Sequence, residues 1–92
     1  MKYRLKELAS LCGGELLGTD ATVMRVSTDS RTLSEPDGTL FVALRSARRD
    51  GNRYIAELYR RGVRAFLTDS PVDEKAYPLA GFVRCADSLE AL

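Results

Sequence analysis

The chain has 92 residues, 45% of them apolar and 29% charged, with three prolines. This describes one small globular domain rather than a disordered segment or a multidomain chain. Fourteen basic residues against 13 acidic ones leave a net charge of +1 and there is no histidine, so the chain offers no strongly basic nucleic-acid track, no histidine base and no histidine zinc ligand.

A domain of this size buries roughly 60 to 70% of the surface its unfolded chain exposes. That suffices for one core and not for enclosing a large substrate, so a ligand is expected on an edge or between domains. The opening stretch lacks the apolar segment of a signal peptide, and no run reaches membrane-spanning length. A cytoplasmic location away from membranes is the expectation. Cys12 and Cys85 stand far apart among apolar neighbours without a CxxC partner, as buried reduced thiols do.

Leu5, Leu8, Ala9 and Cys12 recur at the spacing of one helical face and stop at Gly13-Gly14, which predicts an amphipathic helix with a glycine terminus. Glu15-Leu16-Leu17 reads as a short strand and Gly18-Thr19-Asp20 as a turn. Residues 23–27 then read as a second strand, in which Val23, Arg25 and Ser27 alternate with Met24, Val26 and Thr28, although polarity does not separate the two faces.

Ser34-Glu35-Pro36-Asp37-Gly38 carries turn chemistry, and the apolar run Leu40-Phe41-Val42-Ala43-Leu44 after it predicts a central strand covered on both faces. A loop, 45–51, leads into a helix over 52–61, with Asn52 as N-cap, Tyr54, Ile55, Leu58 and Tyr59 facing inward, and Gly62 at its end. Val63 to Thr68 follows as a strand, so 40–68 forms a βαβ unit with a parallel strand pair. Gly81 to Arg84 makes a further strand, and Asp87-Ser88 begins a helix. The fold class is α/β, a small mixed sheet with flanking helices.

Two segments carry chemistry. Thr28-Asp29-Ser30-Arg31 closes a strand with two hydroxyls, a carboxylate and a guanidinium, where α/β sheets present ligands. Ser30 and the main chain there suit a base or ribose, but an Asx or ST turn with Arg31 paired to a carboxylate accounts for the same residues, and on spacing alone the turn is the commoner arrangement.

The second segment, Arg45-Ser46-Ala47-Arg48-Arg49-Asp50-Gly51, lies between a buried strand and a helix start, a setting suited to a phosphate, with arginines as bidentate donors. The other account is a solvated basic loop. Seven of the 14 basic residues fall between Arg45 and Arg64, opposed only by Asp50 and Glu57. A cluster this compact fits a small anion, whereas Arg60, Arg61 and Arg64 sit where they would only offset a helix dipole. No GxxxxGK[ST] loop, GxGxxG, nucleophile-base pair or metal cluster is present, so no catalysis by this chain alone is expected.

The series Val26-Ser27-Thr28-Asp29-Ser30-Arg31, Thr39 to Leu44, Asp50-Gly51 with Tyr54-Ile55, and Gly62-Val63-Arg64-Ala65 resembles the first domain of the Mur ligase family. With Gly14-Glu15-Leu16, the resemblance covers nearly the whole chain. It is similar to members that add a diamino acid or D-alanyl-D-alanine to a UDP-N-acetylmuramoyl peptide. The pattern of Arg48-Arg49-Asp50-Gly51 and Leu58 to Arg64 is most like D-alanyl-D-alanine-adding members fused to an alanine racemase.

The resemblance implies a UDP-binding N-terminal domain over 1–86, with 87–92 opening the connection to a central ATP-binding domain. In that central domain ATP and magnesium would phosphorylate the substrate carboxylate, and a racemase, where fused, would carry pyridoxal phosphate. The implied partners are the UDP-linked muramoyl peptide and the ligase's own central and C-terminal domains.

By position, Thr28, Ser30 and Arg31 would serve the uracil-ribose end, and Ala47, Arg48 and Arg49 the loop at the nucleotide. Ser46-Ala47-Arg48-Arg49 departs from the Gly-His-Gln or Gly-Glu-Arg-like runs common there, and the Glu35-Pro36 turn departs too. A reading from another class is an RNA-binding or protein-interaction module that uses the 45–53 loop, with Tyr54 and Tyr59 as the nearby aromatics.

Overall fold

A computed structural model describes residues 2–28, 35–43, 55–68 and 72–84. Its elements in chain order are β1 (Tyr3–Arg4), α1 (Leu5–Cys12), β2 (Glu15–Gly18), β3 (Thr22–Val23), β4 (Arg25–Ser27), β5 (Thr39–Ala43), α2 (Ile55–Arg61), β6 (Ala65–Thr68) and β7 (Gly81–Arg84), with a 3-10 turn at Glu74–Ala76. β4, β5, β6 and β7 run parallel, and β2 adds antiparallel beside β7, in the spatial order β2-β7-β6-β5-β4. The expected mixed sheet and the parallel β5-α2-β6 unit are both present. β1 and β3 form a separate antiparallel pair.

Strand alternation sorts the core into two layers. Leu40 and Val42 of β5, Ala65 and Leu67 of β6, and Val83 of β7 join Leu5 and Ala9 of α1 on one face. Phe41 and Ala43, Phe66 and Phe82 join Ile55 and Leu58 of α2 on the other. Every residue of β5 is buried, as its unbroken apolar run predicted. On α1, Leu5 and Ala9 are buried, Leu8 and Cys12 pack against the cluster half-buried, and Leu11 on the far side is 75% exposed. Cys85, Tyr54, the helix start at 52–54 and the segment 87–92 lie outside the described residues.

Both helices end in the same way. Beyond α1, Gly13 adopts φ 70°, the Gly14 N–H donates to the Ala9 carbonyl at 2.9 Å and the Gly13 N–H donates to that of Ser10 at 3.4 Å. This is the Schellman arrangement, which favours glycine because a side chain crowds the left-handed region. Beyond α2, the Gly62 N–H donates to Tyr59 and the Val63 N–H to Leu58. Val63 is thereby used to finish the helix, and β6 starts at Ala65 and not at Val63.

The start of α1 is capped from a distance. The Leu5 N–H donates to the Ala21 carbonyl at 2.8 Å, and the Lys6 N–H donates to Asp20 Oδ1 at 3.1 Å. Asp20 also accepts from its neighbour's Ala21 N–H at 2.9 Å and from Arg4 Nε at 2.8 Å. Desolvation pushes the Asp20 carboxyl upward, but the bonds from Arg4, Lys6 and Ala21 outweigh it and hold the group below the ordinary carboxylate value. The same bond to Asp20, followed by its charge, raises Arg4.

The expected strand 23–27 is broken into β3 and β4. The Met24 and Arg25 amides both turn to the Gly38 carbonyl, at 2.7 and 3.1 Å, where the chain leaves its pairing with β1 and takes up β5. The mixed polarity of 23–27 has the same origin. Val23 is buried beside α1, whereas Met24 at the break and Val26 on the outer strand of the sheet are 51% and 47% exposed.

Candidate functional site

Because β4 to β7 are parallel, their carboxyl ends share one edge of the sheet, the edge at which α/β folds bind ligands. The chain leaves β4 there through Ser27 and the exposed Thr28, and leaves β5 through Ala43. Extending the Ser27-Phe41 register by one residue sets Thr28 beside Val42. The chain therefore leaves two neighbouring strands, about 4.8 Å apart, at the same edge on its way into 28–31 and 44–51. Ser30, Arg31, Ala47, Arg48 and Arg49 themselves lie outside the described residues. Antiparallel β2 begins at this edge as well, with Glu15 opposite Arg84.

The arginine at the far end of α2 is structural. One nitrogen of Arg64, Nη1, donates to the carbonyls of Tyr59 at 2.8 Å and Val63 at 3.0 Å, and the guanidinium lies 4.5 Å from the Tyr59 ring centroid. It closes the negative end of the helix, the role its position suggested. Tyr59 is committed too: its ring packs edge-on to Tyr77 at 5.1 Å, and its hydroxyl accepts from the Leu79 N–H at 3.2 Å. With one face under Arg64 and its edge on Tyr77, this ring is no open platform for a stacked base.

A cleft of about 260 Å³ opens at the opposite, amino edge, between Met24, Gly38, Thr39 and Arg64. Among its lining residues, the side chains of Thr39 and Arg64 and the Asp37 carbonyl are bonded within the chain. Arg25 Nη1 donates to the carbonyls of Asp37 at 2.6 Å and Glu35 at 3.2 Å, and Nη2 pairs with Glu35 Oε2 at 3.1 Å. The Thr39 hydroxyl donates to the Glu35 carbonyl at 2.5 Å. These bonds fasten the Glu35-Pro36 turn to the sheet. The cleft is a seam of the fold, and the candidate site is assigned to the carboxyl edge.

Reasoning from sequence missed that β4 is the outermost strand. The one signal was the alternation of Met24, Val26 and Thr28, two apolar residues in phase with a proposed contact residue. In the structure all three are exposed.

Residues 22–91 match the model of the Mur ligase family, catalytic domain. The UDP-N-acetylmuramoyl-tripeptide--D-alanyl-D-alanine ligase of Escherichia coli (strain K12) is 38% identical over 69 residues, which are 75% of this chain and 15% of that protein. Two crystal structures of MurF from Acinetobacter baumannii superpose with TM-scores of 0.79 and 0.76 over 99% of this chain and 19% of theirs. At 21% and 22% identity, these two establish a shared fold. The chain spans less than a fifth of the length of each of these three relatives.

Proposed function

The chain belongs to the Mur ligase family, and we propose that it is the N-terminal domain of a D-alanyl-D-alanine-adding ligase of peptidoglycan synthesis, holding the UDP end of a UDP-N-acetylmuramoyl-tripeptide. The observation that carries this reading is the departure of 28–31 and 44–51 from adjacent parallel strands at one edge. One segment supplies hydroxyls and main chain for a nucleoside, the other supplies arginines for a diphosphate, and the strands they leave are one strand spacing apart. Thr28, Ser30 and Arg31 take the uracil-ribose end, and Ala47, Arg48 and Arg49 take the diphosphate, where bidentate guanidinium donors match phosphate oxygens.

This domain anchors and does not catalyse. ATP, magnesium and the amide-forming step are assigned to a central domain of the ligase, and pyridoxal phosphate to a racemase domain in a fused member. The reading places the protein in the cytoplasm. With only one side of the substrate site present, UDP should bind this chain with a Kd near 1 mM, about -4 kcal/mol. Titration of the isotope-labelled chain with UDP tests the assignment. Amide shifts at Thr28, Ser30 and Arg48, weakened by Arg48→Ala and Arg49→Ala, are expected, and shifts confined to the amino edge would refute it.

A further inference from the structure

The carboxyl edge holds a second pair of groups, beyond β6 from the segments that leave β4 and β5. Glu15 on β2 lies directly opposite Arg84 on β7, Arg84 lies beside Thr68 of β6, and Thr68 lies beside Ala43 of β5. Glu15 stands two residues from Leu17 and Arg84 two from Phe82. Leu17 and Phe82 both belong to the core on the α2 side, so the two charged side chains share that face of the sheet. Both residues are exposed. Elsewhere the chain joins opposite charges, Arg4 to Asp20 at 2.8 Å and Arg25 to Glu35 at 3.1 Å. Among the described residues, the side chains of Glu15 and Arg84 make no ion pair or hydrogen bond, with each other or with any other group.

We infer that Glu15 and Arg84 together bind a zwitterionic amino-acid group, one carbon bearing both an ammonium and a carboxylate, at the peptide end of the substrate. This rests on the UDP-binding reading and deepens it, because that reading occupies β4 and β5 with the nucleotide and leaves β2 and β7 without a ligand. The Arg84 guanidinium takes the carboxylate through two parallel N–H donors, and the Glu15 carboxylate accepts from the ammonium. Residues directly opposite on antiparallel strands lie about 4.5–5.5 Å apart, so a carbon with both charges can bridge them. β7 is two strand spacings from β5, about 10 Å, and three extended residues span about the same distance. A tripeptide that starts near a diphosphate on β5 can therefore end at this pair. A terminal ammonium alone is the poorer ligand, since it answers Glu15 and meets the like charge of Arg84.

The test titrates the labelled chain with UDP and with two forms of UDP-N-acetylmuramoyl-tripeptide, one ending in 2,6-diaminopimelate and one in lysine. The side chain of the first ends in the zwitterion and that of the second in an ammonium alone. The expected result is a shift of the Glu15 and Arg84 amides with the diaminopimelate form and none with UDP. That form should bind about two- to fivefold more tightly than the lysine form, the range of an exposed charge pair, and the gap should shrink as salt is raised. Arg84→Gln and Glu15→Gln should each close the gap with melting little changed, and Arg84→Lys, which keeps the charge and loses the paired donors, should keep part of it. Equal binding of the two tripeptide forms, or a gap that survives Arg84→Gln, overturns this inference and leaves the UDP reading standing so long as UDP shifts Thr28. No response to UDP anywhere at the carboxyl edge overturns both.

Discussion

Asp20 offers a direct test of how this small fold is held. Its carboxylate accepts the Lys6 N–H from the first turn of α1, the Ala21 N–H, and Arg4 Nε, all within 3.1 Å, and its side chain is 23% exposed. Removing a capping carboxylate costs about 0.5–2 kcal/mol, and here Asp20→Ala also loosens the corner that delivers the Ala21 carbonyl to Leu5. We expect a loss of about 1–2 kcal/mol. For a domain near this size that lowers Tm by about 5–15 °C, which circular dichroism or calorimetry will read. Asp20→Asn keeps an oxygen in the place that accepts both amides and loses the Arg4 pair, so it should lose less. Arg4→Ala removes an exposed partner and no amide bond, so it too should lose less than Asp20→Ala. If Arg4→Ala costs as much as Asp20→Ala, or Asp20→Ala melts within 1 °C of the parent, about the error of such a scan, the capping argument is wrong.

Three further outcomes follow from the packing and charge. The Asp20 carboxyl is held below its ordinary value, so its contribution is present above the unfolded pKa of about 3.9 and is lost as pH falls through the lower folded value. The Tm gap between the parent and Asp20→Asn should therefore be constant near neutrality and narrow below about pH 4. A side chain at Gly81 would place its Cβ 1.9 Å from the Thr19 carbonyl oxygen and 2.6 Å from Leu5 Cδ1, so Gly81→Ala must shift backbone and should cost at least the 1–3 kcal/mol typical of overpacking, read as a lowered urea midpoint. Phe66 is fully buried between Phe82, stacked at 5.1 Å, and Phe41, edge-on at 6.5 Å. Phe66→Ala should cost about 3–5 kcal/mol, a large part of the roughly 5–14 kcal/mol available to a chain this long, with unfolding detectable by calorimetry.

Much of the fold was legible locally because the signals are periodic. The spacing of Leu5, Leu8, Ala9 and Cys12 fixed α1 and its inward face, and Gly13-Gly14 fixed its end. The unbroken run at Leu40 announced a strand covered on both sides, and the one-residue link after Gly62 implied a parallel partner. The misses were pairings. Tyr3–Arg4 has no pattern of its own and becomes a strand only because β3 lies beside it. Residues 23–27 read as one strand, since nothing local reveals that Gly38 takes both the Met24 and Arg25 amides. The site was legible as two motifs and not as a site, because spacing along the chain cannot tell whether two loops leave the same edge.

The sequence by itself therefore determined the elements, the faces they bury and, through an ordered set of short motifs, the family. Those properties depend on side-chain period and on main-chain stereochemistry within a few residues. The tertiary structure alone decided which strands are neighbours, and with that the joint departure of the Thr28 and Ala43 segments from one edge, the distant cap that Asp20 places on α1, and the exposure of Val26 at the rim of the sheet. Those are contacts between residues far apart in the chain, set by which packing buries the most apolar surface while satisfying the backbone.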